Sequence, residues 1–266
     1  MIRDITLGQF YNANSSINSL DPRVKLIGAL LYLIVLFMVK EFIGFAVAAM
    51  FLIIIILLSN VPFKFIFRGA KPILFILIFT FLLNLFMIKG RLLFEWGFIS
   101  ITYEGLHTAV FMSVRIILLV ISASMMTFTT KPIALTDGIE SLMNPLKRVN
   151  VPVHEIAMTL GIALRFIPTL LKETDKIIKA QESRCGGFSE GSLMDKIKGL
   201  VPVIIPLFVR SFKIAEELAM AMEARNYTGG EGRTRMNELS FGKNDYMAFL
   251  ILILMSAIII GTNYLY

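Results

Sequence analysis

The chain has one cysteine, Cys185, and two histidines, His107 and His154. A single thiol excludes an internal disulfide framework, and two histidines so far apart make a poor metal-site signature. Charge is scarce too: 17% of residues are charged, against roughly 25% in a typical soluble domain. No G-x-x-x-x-G-K-[ST] run occurs, and Gly229-Gly230-Glu231-Gly232 lacks the Lys and hydroxyl of a phosphate-cradling loop. The chain is therefore not expected to hydrolyse ATP alone. His154-Glu155 opens like H-E-x-x-H, but position 158 is Met, which leaves too few zinc ligands. Glu216-Glu217 begins an E-E-x-x-x-R pattern that fails at Ala221, and the pair reads as solvated. Residues 1–20 lack an apolar stretch before a small-residue cleavage site, so no cleaved signal peptide is expected. No cofactor is implied.

Apolar residues are abundant: 56% of the chain, with a mean hydropathy of +0.76. They come in blocks at Val24–Val39, Phe42–Leu58, Pro72–Ile88, Val110–Phe128 and Tyr246–Leu265. Each is close to the roughly 17–25 residues that cross a bilayer as a helix, the first slightly short. These blocks predict an all-α polytopic membrane protein with about five transmembrane helices. The net charge of +7 needs no nucleic acid, because Lys and Arg gather in the cytoplasmic loops of membrane proteins. Arg3, Arg23 and Lys25 precede the first block, and Lys64, Arg68 and Lys71 follow the second. The loop after the third sets Lys89 and Arg91 against Glu95 and Glu104. The bias predicts a cytoplasmic N-terminus and places residues 131–245 on the same side.

Residues 1–130, the N-terminal tail and four spans, hold 10 basic and 5 acidic residues; residues 131–245 hold 16 and 14, closely mixed. That mixture suits a surface meeting water or a partner, and residues 246–266 form the last span. Inside 131–245 lie two apolar runs, Ile156–Leu171 and Leu200–Val209, each passing into charged sequence. Helices are expected to start near Pro152 and near Ser192, whose spacing to Asp195 matches a capping box. Pro168, Pro202 and Pro206 each remove a backbone donor within such a run and favour a bend. On the second helix Phe208, Ser211, Phe212, Ala215, Leu218, Ala219 and Met222 recur at helical spacing, predicting an amphipathic stripe. On the first, Leu170, Leu171, Ile177 and Ile178 recur among charges, where Glu173–Lys176 and Asp175–Lys179 have pairing spacings.

Both helices end alike. Ala180-Gln181-Glu182-Ser183-Arg184 and Ala221-Met222-Glu223-Ala224-Arg225 share A-x-E-[SA]-R, 41 residues apart. Gly186 and Gly187 follow the first and Asn226 with Gly229 the second, so each Arg is expected in a last helical turn. A lone Arg there gains about 0.3–1 kcal/mol from the helix dipole and needs no further role. Two matched tails suit docking into two equivalent pockets, because the guanidinium fork fixes the geometry of its acceptors.

With Leu20-Asp21-Pro22-Arg23-Val24-Lys25-Leu26, Thr129-Thr130, Leu142-Met143-Asn144-Pro145-Leu146, Val151-Pro152 and Arg165-Phe166-Ile167-Pro168, these tails resemble the transmembrane T component of energy-coupling factor (ECF) transporters. The resemblance implies a scaffold in the bacterial cell membrane whose coupling helices enter grooves on two ABC ATPase subunits, identical or different. It also implies a separate substrate-binding S component, with vitamins or metal ions as cargo. By position the docking residues are Arg184 and Arg225, flanked by Glu182, Ser183, Cys185, Glu223, Ala224 and Asn226. Cys185 and Asn226 depart from the family's Gly or Ser after each Arg. Asn tolerates the left-handed conformation, whereas Cys does so poorly.

Arg115, inside the fourth span, is either a functional charge or a snorkelling one. Arg165 is expected to pair with Asp137, Glu140 or Glu155 in a structural role, beside Pro168 and Pro206. The competing reading is a self-sufficient transporter or ABC permease, which should gather polar groups at mid-membrane; the spans offer mainly Arg115 and Asn84.

Overall fold

The structure is a computed structural model that describes residues 10, 11, 13, 15–96, 99–184, 193–229 and 239–265. Among the described residues eight α-helices carry it: α1 (Pro22–Met38), α2 (Phe42–Ser59), α3 (Phe63–Met87), α4 (Tyr103–Thr129), α5 (Pro132–Met143), α6 (Val153–Glu182), α7 (Leu193–Ala224) and α8 (Lys243–Leu265). The five apolar blocks fall in α1, α2, α3, α4 and α8, so the all-α membrane architecture holds. Among the described residues α2, α4, α6 and Lys243–Asn263 are long and apolar enough to cross a membrane. α6 qualifies through its greasy first half. One feature was not expected: β1 (Leu92–Trp96) pairs antiparallel with β2 (Ile99–Thr102) between α3 and α4. So short a hairpin carries too little pattern to stand out beside 17-residue apolar blocks.

Two compact units divide the chain: residues 8–142 with 238–266, and residues 1–7 with 143–237. In the first, α4 packs on α1, α2 and α3, while α8 packs on α1 and α2. Leu36, Val39, Phe128 and Ile259 are fully buried there, within a core that also takes in Phe45, Leu52 and Met125. The outward faces stay apolar, with Phe75 78% and Phe67 75% exposed, as lipid-facing helices require.

α1 starts and stops for clear reasons. Asp21 caps it, its carboxylate accepting the Arg23 N–H at 2.8 Å, and Pro22 occupies the first turn, where its missing N–H costs nothing. At the other end the last carbonyls lack intrahelical donors. Asn263 Nδ2 donates to Met38 O at 2.8 Å, and Arg115 Nη2 donates to Val39 O at 2.8 Å. Arg115 thus closes a helix end, its guanidinium 5.0 Å from the Phe111 ring centroid.

In the second unit α6 packs on α7, preceded by a 3₁₀ turn at Asn144–Val149. Both helices run through their prolines: Pro168 lies inside α6, and Pro202 and Pro206 inside α7. Ser192, the expected cap of α7, lies outside the described residues.

Candidate functional site

The two Arg tails finish their helices in closely related turns. α7 ends at Ala224, and Arg225 follows it in the turn. The Asn226 N–H bonds Glu223 O at 2.8 Å and the Tyr227 N–H bonds Met222 O at 3.0 Å, with Asn226 at φ +54°. This is a Schellman closure, with Asn in the left-handed position usually held by Gly. Asn60 and Asn150 adopt the same conformation after α2 and after the 3₁₀ turn. The departure at Asn226 therefore leaves the helix stop intact.

α6 stops at Glu182. The Ser183 N–H bonds Lys179 O at 3.0 Å, its hydroxyl donates to the same carbonyl at 2.9 Å, and the Arg184 N–H bonds Gln181 O at 3.0 Å. The Arg225 N–H likewise bonds Met222 O, at 3.1 Å. Each Arg thus sits in a tightened turn just past the α-helical hydrogen bonds, a residue or two beyond the expected last turn, because the final bonds reach back three residues. Glu182, Ser183, Arg184, Glu223, Ala224, Arg225 and Asn226 are all exposed, and Cys185 lies outside the described residues.

The seam between α6 and α7 takes only part of the expected stripe. The less exposed positions of α7 are Val203, Pro206, Leu207, Ser211, Ile214, Leu218 and Met222, whereas Phe208, Phe212, Ala215 and Ala219 are exposed. Their spacing of three to four residues is that of a narrow two-helix seam. One partner helix covers such a seam and no more, so the rest of the apolar face stands open, Phe208 against Phe212 at 5.3 Å. On α6 the Glu173–Lys176 pair forms at 3.0 Å, and the Asp175–Lys179 pair does not. Arg165 and Pro168 are exposed, and within its own unit Arg165 forms no ion pair with Glu155. Among the described residues no group of three His, Cys, Asp or Glu is placed to hold a metal ion.

Sequence reasoning missed a buried polar cluster at the start of α1. Asp21, buried, receives the Arg23 Nε at 3.1 Å and Nη2 at 2.9 Å, while the Asp21 N–H donates to Asp245 Oδ1 at 2.8 Å. Asp245 Oδ2 accepts the Gly242 N–H at 2.8 Å. Lys25 Nζ donates to Thr129 O at 2.8 Å and to Asn18 O at 3.1 Å. Burial alone would raise the Asp21 pKa. The Arg23 guanidinium and backbone N–H, with the charges of Arg23 and Lys25, outweigh burial and hold the carboxyl below its ordinary value. Asp21-Pro22 is a helix-start signal that points to the cap; Asp245, 224 residues away, has no local signature.

One unit is a bundle of apolar helices, and the other is a helix pair whose members each end in an exposed arginine. Residues 13–236 match the CbiQ family, described as "Cobalt transport protein". The chain is 50% identical to "Energy-coupling factor transporter transmembrane protein EcfT" of Ruminiclostridium cellulolyticum over all of both chains. Proteins of that name from Clostridium kluyveri and Bacillus subtilis are 50% and 42% identical, covering 94% and 97% of this chain and 93% and 98% of theirs. The chain belongs to the CbiQ family, as a transmembrane energy-coupling subunit of an ECF transporter.

Proposed function

We propose that α6 and α7 receive the stroke of two ABC ATPase subunits and pass it to a separate substrate-binding S component in the bacterial cell membrane. Arg184 and Arg225 dock in equivalent grooves of the ATPase dimer, with Glu182, Ser183, Cys185, Glu223, Ala224 and Asn226 around them. The N-terminus is cytoplasmic. The chain itself is non-catalytic: ATP is hydrolysed by the partners, and the choice among vitamins and metal ions belongs to the S component. The observation that carries this reading is the shared ending of α6 and α7. Both put an exposed Arg in a turn closed by a bond from its own N–H to the carbonyl three residues back. The bond fixes the backbone at each Arg, and each exposed guanidinium brings five donors in a planar fork to whatever it meets.

The test is Arg184→Ala combined with Arg225→Ala, read by ATP-driven uptake in vesicles and by co-purification of ATPases from gentle detergent. Uptake is expected to fall at least tenfold and ATPase recovery to fall with it. Normal uptake and assembly would refute the reading.

A further inference from the structure

We infer that Arg23 is a positioning residue that ties together the two points where the chain leaves the membrane unit for the coupling helices and returns from them. The inference rests on the reading of α6 and α7 as the receiving element. The chain passes out of the membrane unit after Leu142 and re-enters it at Glu238. Ser141 and Leu239 therefore stand one residue inside each crossing. A single guanidinium reaches both: Arg23 Nη1 donates to Ser141 Oγ at 3.3 Å and Nη2 to Leu239 O at 2.8 Å. Its carbon lies 4.1 Å from the centroid of the Phe241 ring, on the returning segment.

The clamp is itself held. Asp21 takes Nε and Nη2, its N–H bonds Asp245 in the first turn of α8, and the same Asp245 fixes the Gly242 N–H of the returning segment. The outgoing side has a second fastening. A Cβ at Gly138 would lie 3.1 Å from both Pro22 Cβ and Leu26 Cδ1, so α5 sits close against the first turn of α1. Force arriving along either connection thus meets α1 first, and α1 packs on α4 and α8. Only Arg offers a planar fork with enough donors for Asp21, Ser141 and Leu239 together; Lys brings a point charge on a flexible stem.

The test uses the complete transporter in vesicles, comparing Arg23→Gln and Arg23→Lys with the parent. Arg23→Gln is expected to assemble and hydrolyse ATP within about twofold of the parent, yet to import at least tenfold less substrate per ATP. Amide exchange at residues 141–142 and 239–245 is expected to quicken together by tenfold or more, with the amides of Leu36, Ala48 and Leu118 unchanged. Arg23→Lys should recover part of the import per ATP. Should Arg23→Gln fail to fold, Ser141→Ala with Phe241→Ala removes two of the contacts and leaves the Asp21–Arg23 pair in place, with the same losses expected at smaller size. Unchanged import per ATP, or loosening of one segment without the other, overturns the inference. So does a double variant whose folded fraction imports and exchanges as the parent does. Normal transport by the Arg184→Ala, Arg225→Ala chain would instead bring down the receiving reading, which keeps the two failures apart.

Discussion

The two units are built on opposite terms. In the membrane unit one continuous core reaches from Tyr32 to Ile259 and includes residues with no exposed surface at all, Leu36 and Ala48 among them. In the second unit only Val153, Ala157 and Val203 are buried among the described residues, and α7 leaves Phe208, Val209 and Phe212 more than 60% exposed. The first unit specifies itself. The second, two long helices sharing one seam, leaves open an apolar face of the kind that marks an interaction site.

The contrast is sharpest in paired truncations. Phe128→Ala, in the membrane unit, should cost about 3–5 kcal/mol of unfolding free energy in detergent. Phe212→Ala should stay within about 0.5 kcal/mol while weakening assembly. Equal costs would erase the distinction between the units. Next in size, Arg115→Met leaves the Val39 carbonyl without its donor and should cost about 1–3 kcal/mol in the same denaturation series. Asn226→Val forces a β-branched residue into the left-handed region and should cost about 1–2 kcal/mol. The loss should appear as faster amide exchange in the last turn of α7, with Asn226→Gly close to the parent. The smallest effect near neutrality is that of pH. The Asp21 carboxyl is depressed in the folded state, so its contribution is complete above its ordinary value of 3.8 and is lost as pH falls through the lower folded one. Stability contributed by this pair should be flat from pH 8 to pH 5 and decline only in acid. Asp21→Asn should remove that acid limb.

The five apolar blocks were legible because one-sided physics writes them: a bilayer admits only long unbroken apolar helices. The matched tails were legible because a helix end is a local event, written in A-x-E-[SA]-R and the residues that follow. The α7 seam was only half legible. Periodicity locates an apolar face, but which part of that face is covered depends on the width of the partner helix, so one stripe joins the open Phe208 and Phe212 to the covered Leu218. The Asp21–Arg23–Asp245 cluster was out of reach for a different reason. Its halves lie at opposite ends of the chain, and nothing in Asn244-Asp245-Tyr246 distinguishes a buried acceptor from a solvated one.

α1 carries one more consequence. Its 17 residues rise about 26 Å, less than the roughly 30 Å of a hydrocarbon layer. A helix that short meets a hydrocarbon layer through local thinning, through polar groups at its ends or through its neighbours, each at a modest cost. The polar fastenings of its end to Arg115 and Asn263 make acyl-chain length a variable worth setting: transport in short-chain and long-chain lipid vesicles is expected to differ.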